Sequence, residues 1–472
     1  MKVTRGFLGS LLLLLACQPS APEGGDRAVL VPVTDAARWT SHEAWPTQTR
    51  YRQVGESFQG TVHQLEVDEE GRSWVIRQDF MFPHDITGRW ALDVYAPSGQ
   101  RVLTLEREEN VEPYRFVRHP SGELTLFELQ RIPETTSYRL RLRRLSPEGR
   151  VLAARGFDDP GRPGESREYL LDEDGVAEVV ESPAQELHWE RSRSVHLRAL
   201  ALGEEAAFIL WSHGVKLYRL TSGLDVAWDL QLMPGHDWMD SLAGQEQLTL
   251  DAEGNLLVAW SMHRNEAAAW RQHFGRELAW RGGRVDVLVQ RIGPDGRHHA
   301  AQLHGNEHDE QLVGMGVYRG ELLIGATSRV PKYDRPNDTT EWDLILMRAH
   351  MEDGTLLHHR VIDFAREDLP YDFQVDVEGR AWFAGVTDFL QVDTNSWMES
   401  GQGMLLRMDA QGERVESLLL KGPRQVIVER LAFAPDGSVR FAGTYDGPIT
   451  HTDDKDPSLG FDHVMLGVGT WP

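Results

Sequence analysis

From about Leu248 to the C-terminus the chain alternates apolar and polar residues in short runs broken by glycine turns, and one pattern returns four times. Its first part is LTLDAEGNLLVAW (248–260), VYRGELLIGAT (317–327), VDVEGRAWFAGVT (375–387) and FAPDGSVRFAGTY (433–445). Alternation of period two on both sides of a tight turn predicts a β-hairpin. A second hairpin follows in the first three repeats: VDVLVQRIGPDGRHHAAQL (285–303), WDLILMRAHMEDGTLLHHRVI (342–362) and GMLLRMDAQGERVESLLL (403–420). Its turn glycines, Gly296, Gly354 and Gly412, are spaced 58 and 58 residues apart. Two hairpins per fixed period make a four-stranded unit, so the pattern predicts an all-β fold, a β-propeller.

The same units are legible upstream in a shorter form. TVHQLEVDEEGRSWVIRQD (61–79) pairs with WALDVYAPSGQRVLTLERE (90–108), and YRFVRHPSGELTLFELQ (114–130) with YRLRLRRLSPEGRVLAARGF (138–157). In RLRLRRL the alternation places Leu140, Leu142 and Leu145 between blades and turns the arginines outward. Residues 195–232 form one compact blade. Turn glycines of the first type, Gly71, Gly122, Gly203, Gly254, Gly320, Gly379 and Gly437, count seven blades. On that count REYLLDEDGVAEVVES (167–182), turning at Gly175, is an inserted hairpin; eight blades, with 160–193 a degenerate one, is the alternative. The last repeat shows a hairpin around Gly437 and a third strand, DHVMLGVG (462–469), but no fourth. TRYRQVGES (49–57) reads as the missing strand, so the two chain ends share one blade and no open edge remains. The propeller then spans 49–472, and 28–48, with AVLVPV, Trp39 and Trp45, reads as a strap against it.

Composition changes the picture in two ways. Lys plus Arg number 49 against 73 Asp plus Glu, a net charge of −24, and no basic run interrupts the balance. Nucleic acid and anionic membrane surfaces are therefore poor partners, and no nucleic acid is expected. The single cysteine, Cys17, rules out an intrachain disulfide. It follows a basic start (Lys2, Arg5) and an apolar run in 1–16, the layout of a secretory signal and too short to span a bilayer. The run LLAC (14–17) resembles the bacterial lipobox, which implies a cleaved chain lipidated at Cys17; an ordinary signal peptide is the alternative. Gln18 in place of Asp, by resemblance to Gram-negative lipoproteins, implies the outer membrane or cell surface. Residues 17–27 are then the lipidated cysteine and a Pro/Gly/Ser-rich tether. Membrane contact is expected through the lipid anchor only, and the propeller is expected to be monomeric.

Candidate chemistry depends on which face each loop occupies. With strands a to d numbered from the axis outward, the short glycine turns join a to b and c to d on one face. The long connections lie on the other: 261–284, 328–342, 388–403 and 445–461 between b and c, with 234–244 and 304–310 between d and the next a. Loops held by a rigid scaffold carry function, and these are rich in Trp, Tyr, His and Asp. The ligand-binding candidates on this face are His236, Asp237, Trp280, His308, Tyr333, Asp334, Trp397, Tyr445, Asp453 and Asp454. The acidic run THTDDKD (450–456) lacks EF-hand spacing. The pairs His298/His299 and His358/His359 lie on outer strands, where neighbours point to opposite faces and cannot clasp one metal. Asp93, Asp286, Asp343 and Asp462 recur at the start of c strands, which argues for accepting hydrogen bonds from loop amides. No metal and no cofactor is expected.

G-x-S-x-G, H-E-x-x-H and phosphate-binding glycine loops are missing from the sequence, as are sialidase aspartate boxes and kelch or WD signatures. The form DxxGxxxxAG followed by DxxLxRxxxxG resembles the β-propeller repeats of large secreted and cell-surface bacterial proteins. The resemblance spans roughly 50–470 and implies the fold, not an activity. The expected function is a lipid-anchored envelope propeller binding a protein, peptide or glycan on its loop-rich face, with no catalytic residues. A polysaccharide hydrolase or lyase using Asp and His of that face is the alternative.

Overall fold

The computed structural model describes residues 29–32, 51–53, 58–81, 85–106, 108–131, 138–157, 167–171, 177–181, 196–211, 214–234, 246–332, 339–363, 368–393, 396–409, 411–420, 426–446 and 462–469. It is a seven-bladed β-propeller. Blade 1 is Phe58–Val67, Ser73–Met81, Asp85–Tyr95 and Arg101–Leu105; blade 2 is Val111–Arg118, Leu124–Arg131, Tyr138–Leu145 and Val151–Phe157. Blade 3 is His196–Leu202, Glu205–Trp211, Gly214–Leu220 and Val226–Pro234; blade 4 is Gln247–Leu250, Leu256–His263, Val285–Ile292 and His298–His304. Blade 5 is Glu310–Tyr318, Glu321–Lys332, Thr339–His350 and Leu356–Ile362; blade 6 is Leu369–Val375, Ala381–Asp393, Ser396–Met408 and Val415–Leu420. Blade 7 joins Val426–Phe433, Val439–Asp446 and Asp462–Gly469 to Tyr51–Gln53 from the other end of the chain.

That closure has a definite register: Tyr51 faces Gly469, Arg52 faces Val468 and Gln53 faces Gly467. The chain keeps to blade 7 for two more pairs, Phe58 with Val464 and Gln59 with His463, before turning inward as the first strand of blade 1. The hairpin Arg167–Leu171 with Ala177–Glu181 is a separate two-stranded sheet, an insertion rather than an eighth blade. The strap contributes Leu30–Pro32, a fifth strand on blade 1 paired with Leu103–Leu105. Its start is also tied to blade 2, through the Val29 amide donating to the Gly149 carbonyl at 2.8 Å.

Burial follows the blade junctions. Seven hydrophobic clusters occur, one at each contact between neighbours: blades 1 and 2 around Ile76 and Phe116, 2 and 3 around Phe127 and Phe208, 3 and 4 around Ile209 and Trp260. The remaining four join 4 to 5 around Val287 and Ile324, 5 to 6 around Leu344 and Phe383, 6 to 7 around Leu405 and Phe441, and 7 to 1 around Leu466 and Val75. No blade buries both of its faces alone, so stability is a sum of neighbour contacts closed into a ring.

The repeated turns show why particular residues recur. In VDEEGRSW (67–74) Asp68 accepts from the amides of Glu70 and Arg72 with one oxygen, and from Arg72 Nε and Trp74 Nε1 with the other. Asp376 in VDVEGRAW (375–382) makes the same four bonds to Glu378, Arg380, Arg380 Nε and Trp382. Burial works against ionisation of Asp68, but these bonds outweigh it and hold its pKa below the ordinary value. The turn glycine is fixed by space as well as by φ: at Gly379 (φ +80) a Cβ would stand 2.2 Å from the Tyr318 ring.

Two expectations are corrected. Leu140, Leu142 and Leu145 are buried between blades, but the arginines among them do not face out: Arg143 and Arg144 are 5% and 2% exposed. Glu128, fully buried, ion-pairs with Arg141 at 3.0 Å and with Arg143, and Glu123 and Glu204 hold Arg144. The second correction concerns the segments 328–342 and 388–403, expected as loops. Strands continue through them as long hairpins, with Lys332 opposite Thr339 and Asp393 opposite Ser396. In 261–284 a single 3-10 turn (Arg264–Glu266) leads into one short helix, Ala267–Phe274, whose Trp270 is fully buried against blades 3 and 4.

Candidate functional site

Every blade's first strand runs from the loop-rich face toward the face of short turns, and these innermost strands surround the axis. Register counted from the a–b turn places Gln64, Arg115, Arg198, Gln247, Gly314, Asp372 and Arg430 at one level, opposite Ile76, Phe127, Ile209, Ala259, Gly325, Ala384 and Ala442. In five blades a β-bulge adds a residue just before this level: His63, Tyr114, Val313, Tyr371 and Glu429. Bulges of this kind re-aim side chains.

Side chains at this level tie each blade to the next. Arg115 Nε donates to the Leu197 carbonyl (3.2 Å), Arg198 Nε to Glu246 O (3.1 Å), Gln247 Nε2 to Val313 O (2.9 Å) and Arg430 Nε to His63 O (2.9 Å). Asp372 accepts from the Leu431 amide at 2.9 Å. Gly314 has no side chain because blades 5 and 6 close up there: a Cβ would stand 2.8 Å from Phe373.

Three of the seven groups are guanidinium ions. Beyond the bonds above, Arg115 Nη1 donates to the carbonyls of His63 (3.1 Å) and Tyr114 (3.2 Å), and Arg430 Nη1 to those of Tyr371 (3.2 Å) and Glu429. Among the described residues all their hydrogen-bond acceptors are main-chain carbonyls. Among the described residues no carboxylate lies within ion-pair distance of Arg115, Arg198 or Arg430. Burial first, then the charge of Arg198, pushes Arg115 down to about 9, although Tyr114 and Glu246 act the other way. Arg198 is lowered by burial and then by Arg430. Burial raises Asp372 against the pull of Arg430 and Arg198. It also raises Glu429, whose carboxylate accepts from the Val62 amide (2.8 Å) and Thr61 Oγ1 (2.9 Å). His63, driven down to about 3 by burial and the neighbouring arginines, is neutral.

One step nearer the loop-rich face the lining is aromatic. The His63 ring lies 4.1 Å from Trp90, and Trp90 5.5 Å from Tyr114. Tyr371, on an innermost strand, is 42% exposed. His63, Tyr114 and Tyr371 are thus bulge residues of innermost strands, while Trp90 comes from the third strand of blade 1 and packs at the junction of blades 1 and 2.

Of the expected site residues, Cys17, His236, Asp237, Tyr333, Asp334, Asp453 and Asp454 lie outside the described residues. Trp397 and Tyr445 fall on strands of blades 6 and 7, where only the backbone is described. Trp280 is half-buried against the cluster between blades 3 and 4, a packing role. His308 takes part in the 304–310 connection, its amide donating to Asn306 Oδ1 at 2.6 Å. His298 lies on an outer strand against Phe274, at 4.7 Å. The axial residues were absent from the sequence expectations. Five of them stand seven residues before a turn glycine (Gly71, Gly122, Gly254, Gly379, Gly437), a regularity by which they could have been found.

The c-strand aspartates divide. Asp286 accepts a loop amide as expected, from Arg281 at 3.1 Å, whereas Asp93 is ion-paired with Arg77 at 2.7 Å. Asp286 also approaches Glu310 across the junction of blades 4 and 5, and Glu310 accepts from Ser328 Oγ. The same arrangement recurs one junction on, where Thr387 donates to Asp368. There Asp343, Asp363 and Asp368 bring oxygens within 4.8 Å of one another, the hard donor type that divalent cations use.

Fold and axial geometry define the class: a seven-bladed propeller with a charged axial lining and its long connections gathered on one face. No protein-family model and no curated protein sequence matches the chain. Among solved structures it is similar to a protein of unknown function from Bacteroides caccae, at 12% identity over 70% of this chain and 89% of that one, TM-score 0.33. It is also similar to the β-propeller domain of the trilobed protease from Pyrococcus furiosus, at 9% identity over 82% and 89%, TM-score 0.40. The blade count rests on the chain's own strand order and seven junction clusters.

Proposed function

We propose that the protein is a non-enzymatic binding module of the cell envelope, held by a lipid on Cys17 at the outer membrane or cell surface, and that it takes a peptide or glycan at the axial mouth of its loop-rich face. The observation that carries this reading is the aromatic character of the innermost strands: Tyr371 is exposed on the first strand of blade 6, and on blades 1 and 2 His63 and Tyr114 bracket the Trp90 ring. Aromatic faces with a polar tip are suited to sugar rings and peptide side chains alike. The lipid anchor and the address rest on LLAC (14–17) and Gln18.

The test is a glycan and peptide array probed with the purified protein, wild type against Tyr371→Ala and Trp90→Ala. Loss of a specific signal in both variants, each still folded at the assay temperature, supports the reading. A signal insensitive to both removes the axial mouth as the site. Membrane fractionation of Cys17→Ser tests the anchor: the variant should leave the membrane fraction, and persistence there counts against lipidation.

A further inference from the structure

We infer that the axial level formed by Arg115, Arg198 and Arg430 is an oxyanion site, which receives a carboxylate, sulfate or phosphate group entering past the aromatic mouth. The inference deepens the binding reading above and rests on it for the direction of entry.

The argument begins with charge. The chain carries −24 overall, yet three residues 83 and 232 positions apart bring guanidinium ions to one level of the axis. Each is anchored by its Nε to a main-chain carbonyl of the next blade, which fixes its direction. Among the described residues Arg198 makes that one bond, which leaves the donors of both Nη groups to spare. Arg115 and Arg430 likewise use Nε and Nη1, leaving Nη2. Buried or partly buried arginines are ordinarily paired with a carboxylate, because desolvating an unpaired guanidinium is expensive. Of the nearby acids, Asp372 accepts from the Leu431 and Phe373 amides and Glu429 from Val62 and Thr61, while the buried Glu246 offsets the charges of Arg115 and Arg198 without an ion-pair contact to either among the described residues. Preorganised N–H donors with mutually repelling charges and no contacting counter-ion are the arrangement that an incoming oxyanion stabilises.

A purely structural role for these arginines can be separated from anion binding because the chain contains its own control. Gln247 occupies the same level and makes the same inter-blade bond through Nε2, without charge. Arg→Gln therefore keeps the tie between blades and removes the cation.

The experiment is calorimetric titration of the full chain in detergent with four probes at low ionic strength: inorganic phosphate, sulfate, acetate, and an oligomer of galacturonic acid with the neutral galactose oligomer as control. Arg115→Gln, Arg198→Gln and Arg430→Gln are titrated beside the wild type, three variants so that poor folding of one leaves the others. At least one oxyanion should bind the wild type, and each substitution should weaken it roughly ten- to hundredfold, the worth of a charge-assisted hydrogen-bond set. Binding of the free ions assigns the site to a small anion, and binding of the acidic oligomer alone assigns it to the end of a chain held at the mouth. Failure of every probe to bind the wild type, or binding unchanged in all three variants, overturns the inference. An array ligand that Tyr371→Ala abolishes and Arg198→Gln does not would overturn the oxyanion site while leaving the binding reading intact.

Discussion

Replacing Glu310 by Gln should make the protein more stable above neutral pH and leave it unchanged in acid. Glu310 is fully buried, with Oε1 accepting from Ser328 Oγ at 2.9 Å and Oε2 from the Asn306 amide at 3.1 Å. Its Oε2 and Asp286 Oδ1 are both 2.6 Å from the point where a Cβ on Gly305 would stand, so two carboxyl groups crowd one glycine. Asp286 Oδ1, buried, has no hydrogen-bond partner. Burial, reinforced by the charges of Asp286 and Asp309, raises Glu310 from 4.5 to about 8.

The folded pKa lies above the unfolded one, so the folded state binds the proton more tightly. Stability from this group is whole below about pH 4.5, falls as pH rises, and is gone above about pH 8. The full shift corresponds to about 5 kcal/mol at 1.36 kcal/mol per unit, and local relaxation reduces that to roughly 3 kcal/mol. Gln can satisfy the same partners, its oxygen accepting from Asn306 and its amide donating to Ser328 Oγ. Melting temperatures of wild type and Glu310→Gln across pH 5 to 9 give the difference curve, in which slopes from other raised carboxyls such as Glu66 and Glu266 cancel. The curves should coincide near pH 5 and separate by several degrees above pH 8 in favour of the variant. A pH-independent offset, or a variant less stable than wild type at pH 8.5, refutes the reasoning.

Three further outcomes follow from the fold. Glu128→Ala takes the buried partner of Arg143 from the blade 1–2 junction and leaves Arg141 to Glu108 alone, and should cost about 3 kcal/mol, with Glu128→Gln intermediate, as measured by denaturant unfolding. Gly379→Ala meets the Tyr318 ring and an unfavourable positive φ together, and should destabilise by about 2–4 kcal/mol in the same assay. Replacing Tyr51–Gln53 by three prolines removes amide donors opposite Gly467–Gly469 and should open the ring between blades 7 and 1, read as faster limited proteolysis and loss of one cooperative melt. Proteolysis at the wild-type rate would mean that blade 7 is complete without that strand.

The repeating part of the fold was legible because its causes are local. Turn glycines at positive φ and period-two alternation are set within a few residues, which is why seven turns counted seven blades and why 49–57 could be recognised as a displaced fourth strand. What failed was any inference that needed a partner from elsewhere. RLRLRR alternates as a half-exposed strand would, but Glu128 on the neighbouring strand and Glu108 from the preceding connection turn its polar side into a buried ion-pair network. Likewise, 328–342 and 388–403 look like loops because their Pro, Asn and Asp content masks pairing that only the hairpin register reveals.

The axial level was invisible for a related reason, and it separates structural from functional recurrence. Asp68 and Asp376 recur with identical partners because a turn needs them, and such identity carries no information about a ligand. At the axial level the register is retained in all seven blades while the residue changes: Gln64, Arg115, Arg198, Gln247, Gly314, Asp372, Arg430. Glutamine suffices for the inter-blade tie, as Gln247 demonstrates, so the requirement of the fold is met without a charge. Arginine at three of these positions adds a desolvation cost and mutual repulsion that the fold does not need. An excess cost borne at one defined level of a scaffold, and not at the equivalent positions beside it, is where a bound partner has to be sought.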